Sequence, residues 1–186
     1  MKYVRIAGGR LLDHPSAVTM TLVAIVAVHF LVSRLWFPQV SPSNLFFAVE
    51  ATYLPDAISS LALGVAAVAA MVGGFAGVVV VFGLSNEDER FRLVRIKAST
   101  SLRRNWMSIV TTPLAAAFGA IIAAALATAW WTGAAVWILE ACLLLAAHGA
   151  IRLVILLSEL VRVVHYADEA AQQAANTVDE DKFFED

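Results

Sequence analysis

The residues best suited to chemistry lie in "HGAIRLVILLSELVRVVHY", from His148 to Tyr166, which is otherwise apolar. At about 100° per residue, His148, Arg152, Glu159, Arg162 and Tyr166 fall within an arc of roughly 80° on a helix. Such a stripe has the residue types of a proton relay, an ion path or a partner-binding face. Three further ionisable groups, His29, Arg34 and Glu140, also sit in apolar surroundings. Ionisable groups at membrane depth are costly and are candidates for function. Arg34 and Glu140 have opposite charge and fall near corresponding ends of two apolar runs, so they are expected to pair. The alternative is that each turns outward to water. A lone histidine on an apolar helix, as at His29 and His148, is ordinarily neutral and bonded to a carbonyl or hydroxyl. Proton carriage is the alternative.

Other chemistries lack their residues. HExxH, CxxC, P-loop and GxSxG patterns are absent. The four histidines are scattered without metal-ligand spacing, and Cys142 stands alone in an apolar run. No metal, cofactor or enzymatic activity is therefore expected. "MVGGFAG" lies inside an apolar run with no strand before it, which disqualifies it as a phosphate cradle.

The elements that carry these residues are membrane-type helices. The 186-residue chain is 60% hydrophobic, above the usual half for soluble domains, and its mean hydropathy is +0.77. About 20 apolar residues cross the hydrocarbon core as a helix. The expected fold class is all-α, a four-transmembrane-helix bundle with cytoplasmic helical extensions. Its spans lie at about 17–37, 58–84, 107–132 and 134–157. Residues 1–16 form a cytoplasmic segment and 85–106 a cytoplasmic linker. The fourth helix continues to 166, and 167–186 is an acidic tail expected to be disordered, above all from Asn176; its alanines and glutamines could extend the helix before that. "WWTGAA" is short enough to force the last two spans into an antiparallel hairpin. Ser85 and Asp88 suggest a capping box that opens a short linker helix. Pro113 is placed in the first turns of the third span, where proline is tolerated.

The net charge of −2 hides a strong segregation. Lys2, Arg5 and Arg10 precede the first span, and Arg90, Arg92, Arg95, Lys97, Arg103 and Arg104 lie between the second and third. Arg162 and Lys182 follow the fourth, and no Lys or Arg occurs between Arg34 and Arg90 or between Arg104 and Arg152. With four spans, all the basic regions fall on one side, which the positive-inside rule makes cytoplasmic. The linker cations suit the anionic inner leaflet. They lack the interleaved aromatics of a nucleic-acid surface.

Depth divides the stripe. A fourth span starting near Ala134 leaves the hydrocarbon near Val154. Arg152 is then expected to snorkel at the inner interface, and Glu159 and Arg162 to form an i, i+3 pair in the cytosol. Small residues at four-residue spacing, among them Gly73, Gly77 and Gly119, are expected to let helices approach closely. That face serves either packing within the bundle or a homo-oligomer.

The functional expectation is a non-enzymatic inner-membrane protein of a bacterium or phage. It would bind a protein partner at its charged cytoplasmic face as accessory subunit, anchor or immunity-type factor. The alternatives are an oligomeric pore or depolarising effector, and a small transporter. In format alone the chain resembles phage holins, bacteriocin immunity proteins and membrane effectors of abortive infection; no motif carries that resemblance.

Overall fold

A computed structural model describes residues 15–85 and 99–176. Among the described residues every regular element is helical: α1 (Pro15–Leu35), α2 (Leu54–Ser85), α3 (Ser99–Thr128) and α4 (Thr132–Asn176), with short 3-10 turns at Pro38–Val40, Pro42–Phe46 and Ala51–Tyr53. Four stretches are long and apolar enough to cross a membrane: Ser16–Leu35, Ala51–Val81, Trp106–Thr128 and Thr132–Arg162. Arg90, Arg92, Arg95, Lys97, the Ser85–Asp88 capping box, the linker helix and the acidic end beyond Asn176 lie outside the described residues or side chains. Arg103 and Arg104 fall in the first turns of α3, where only the backbone is described.

Each helix boundary has a local cause. Proline is tolerated in a first helical turn because its missing N–H would have no partner there, and α1 begins at Pro15. α1 ends at Leu35 rather than at 37. Pro38 drives the residue before it out of helical geometry, and Phe37 sits at φ −131 and ψ 76. α2 carries Pro55 and Asp56 in its first turn, and the acidic side chain complements the helix dipole there.

α3 runs from Ser99 to Thr128; its apolar stretch starts at Trp106, one residue from the expected 107, and ends at Thr128 rather than 132. Its end is a Schellman motif: the Trp131 N–H donates to Leu126 O and the Trp130 N–H to Ala127 O. The left-handed residue this motif requires is Trp130, at φ 66. The conformation costs a side-chain-bearing residue about 1–2 kcal/mol. With α3 starting at Ser99, Pro113 lies mid-helix rather than in the first turns. It supplies no bond to the Ile109 carbonyl.

α4 is 45 residues long, roughly 67 Å at 1.5 Å per residue. It continues past 166 to Asn176, the extension that the tail's alanines and glutamines allow. Alanine and glutamine favour helix, and His165 Nε2 lies 3.1 Å from Glu169 Oε1 one turn on.

α2, α3 and α4 pack on one another, while α1 lies at the side against α4 and, less extensively, α3. The three-helix core is largely alanine: Ala62, Ala69, Ala116, Ala120, Ala123 and Ala127 are all fully buried. Between helices in lipid, where no hydrophobic effect operates, close packing of small residues supplies the contact. Gly73 and Gly119 belong to this packing. A Cβ on Gly73 would lie 3.0 Å from Leu114, and one on Gly119 would lie 2.6 Å from Cys142 Sγ. Gly77 does not: a Cβ there would meet nothing within 4 Å. Each four-residue step advances about 40° around a helix, so the Ala69–Gly73–Gly77 row turns off the packed face. Ala76 is the buried residue at that level.

Candidate functional site

The polar side chains gather at two levels of the bundle. One is the hairpin end, where α3 turns into α4. The other is the arm end, from which α4 projects.

At the hairpin end Glu140 pairs with His29. Nδ1 of His29 lies 2.7 Å from Glu140 Oε1, and Nε2 lies 2.9 Å from the Val40 carbonyl. A carbonyl only accepts, so Nε2 carries hydrogen. A contact this short between Nδ1 and Oε1 is a hydrogen bond, which needs a proton on one of the two atoms. Trp137, one turn before Glu140, meets His29 edge to face with ring centroids 5.1 Å apart, and meets Phe30 likewise at 5.2 Å. These contacts fasten α1 to α4.

The expected Arg34–Glu140 pair is therefore corrected. Arg34 is exposed and holds no ion pair among the described residues. The reason is depth. Glu140 is eight residues from the start of α4 and His29 six from the end of α1, roughly 12 and 9 Å. Arg34 is one residue, roughly 1.5 Å, from its helix end. Glu140 Oε2 is buried without a hydrogen-bond partner among the described residues, which makes this an incompletely satisfied cluster.

At the arm end Arg152 turns inward. It is only 4% exposed, and its Nη1 donates to Ser108 Oγ at 2.7 Å. The expectation that it snorkels outward is overturned. Ser108, near the start of the apolar part of α3, offers an acceptor at the same level, so the inward rotamer gains a charge-assisted bond. His148, one turn deeper, keeps a buried Nε2 with no partner among the described residues. Between them Gly149 packs on the fully buried Pro113, where a Cβ would lie 3.1 Å from the ring. Sequence reasoning missed this contact. Its signal was a glycine flanked by His148 and Arg152 on a helix otherwise rich in large side chains.

The stripe thus divides. Arg152 serves the interior, whereas Glu159 and Arg162 are exposed and paired at 3.2 Å, one turn apart. A cleft of about 630 Å³ opens between α1 and α3 beside Ser108, with hydroxyls from Ser16, Thr19, Thr111 and Thr112 on its walls.

No protein-family model, curated protein or solved structure matches this chain. Among the described residues no group of three or more His, Cys, Asp or Glu could hold a metal ion. The polar clusters can hold helices in register, and the exposed part of α4 can be touched from outside.

Proposed function

We propose that the protein is a multi-pass protein of a bacterial inner membrane, both termini cytoplasmic, that acts without catalysis by binding a protein partner on the projecting part of α4. The observation that carries this reading is the arm. From Ser158 to Asn176 α4 runs on as helix, roughly 28 Å. Among its described side chains Glu159 pairs with Arg162, and His165 meets Glu169 at 3.1 Å. On the arm Val161 and Tyr166 are exposed, Val161 by 67%. Exposed side chains of this kind on a helix are what a partner's groove takes. The basic residues that the sequence carries between α2 and α3 suit anionic lipid.

A pore or a transporter needs polar groups continuous through the thickness. Between Glu140 and His148 the inward side of α4 carries Cys142 and Ala146, both buried, against an alanine-filled core. This supports partner binding over conduction.

Photocross-linking in native membranes tests the proposal. A photoreactive residue at Val161 should give a discrete adduct with another protein, and the same residue at the exposed Phe75 of α2 should not. Identical adduct patterns at the two positions would remove the reading.

A further inference from the structure

At the hairpin end a pocket of about 280 Å³ lies between the last turns of α1, the loop that follows it and the first turn of α4. We propose that it holds the phosphate of a membrane phospholipid. The proposal rests on the membrane reading above.

Four kinds of donor converge there. Arg34 lines the pocket with a planar guanidinium that matches phosphate oxygens two at a time. With Glu140 engaged by His29, Arg34 has no counter-ion among the described residues. Ser33 also lines the pocket, at 6% exposure, and adds a hydroxyl to its wall. Ser41 and Ser43 hold each other at 3.1 Å, and whichever donates leaves the other with a hydrogen for a ligand. Finally, Gly133 brings the N-terminus of α4 to the wall. The first turn bond there is Ala135 N–H to Trp131 O, so the N–H groups before it are free, as in anion sites at helix starts. No carboxylate lines the pocket.

Level identifies the occupant. Trp36, two residues beyond Arg34, is 71% exposed, and Trp131, two before Gly133, is 66% exposed. Indoles prefer the headgroup region. The anion abundant at that level is lipid phosphate, and its acyl chains can leave sideways along the apolar faces of α1 and α4.

Native mass spectrometry of the detergent-purified protein tests this with phosphatidylglycerol, diacylglycerol and inorganic phosphate as probes. Wild type should retain one phosphatidylglycerol under activation that strips other lipid, and should not retain diacylglycerol. Arg34→Gln should weaken retention about tenfold, the loss expected for one charged hydrogen-bond donor. Ser33→Ala should weaken it less, and Arg34→Lys should recover part of it. Equal phosphatidylglycerol binding by wild type and Arg34→Gln, with unchanged helix content, would overturn the proposal. So would displacement of the lipid by millimolar inorganic phosphate, which would mark a site for free anions. Release of the protein from membranes by alkaline carbonate would instead overturn the membrane reading.

Discussion

His29 and Glu140 meet at 2.7 Å and tie α1 to α4. Opposite charge and similar depth suggested Arg34 for Glu140, but His29, about one and a half turns deeper, is the better match in level. Its bond to Val40 depends on a loop folding back over α1, which no periodicity encodes. The pair should appear as thermodynamic coupling. In a double-mutant cycle of His29→Ala and Glu140→Ala, monitored by denaturation of the purified protein in detergent, the two losses should fall short of additive by about 1 kcal/mol. Arg34→Ala combined with Glu140→Ala should simply add. The reverse pattern would restore the pairing expected from the sequence.

At the scale of elements, the four helices were legible because 20-residue apolar runs have few other solutions. Their ends were less so. Proline acting on Phe37, a left-handed Trp130 in place of a glycine, and an alanine-rich stretch beyond Tyr166 that continues the helix each moved a boundary. Packing was half legible: a four-residue spacing finds a smooth face but not where that face rotates away from its neighbour. Gly119 and Gly77 separate the two cases. Gly119→Ala should cost about 1–3 kcal/mol, because the new methyl collides with Cys142 Sγ. Cys142→Ala in the same chain should recover most of that loss. Gly77→Ala meets open space and should leave stability within about 1 kcal/mol of wild type. A Gly119→Ala chain as stable as wild type would show that α3 and α4 are not in this register.

For the whole molecule, orientation joins the sequence to the fold. The candidate spans are four, so the loop 36–53 and the α3–α4 turn lie at one end and the arm of α4 at the other. The first end has exposed indoles at Trp36, Trp130 and Trp131 and no lysine or arginine beyond Arg34. The other end adjoins every remaining basic cluster of the sequence. Under the proposed orientation, retention of cations on the cytoplasmic side would put the arm inside and the Arg34 pocket outside. Alkaline phosphatase, which folds only after export, reads this directly. Fused after Ser43 it should be active, and fused after Ser99 it should be inactive. Activity after Ser99 with none after Ser43 would invert the protein. The arm would then face outward, away from any cytoplasmic partner, and the basic linker would lie on the side that the positive-inside rule disfavours.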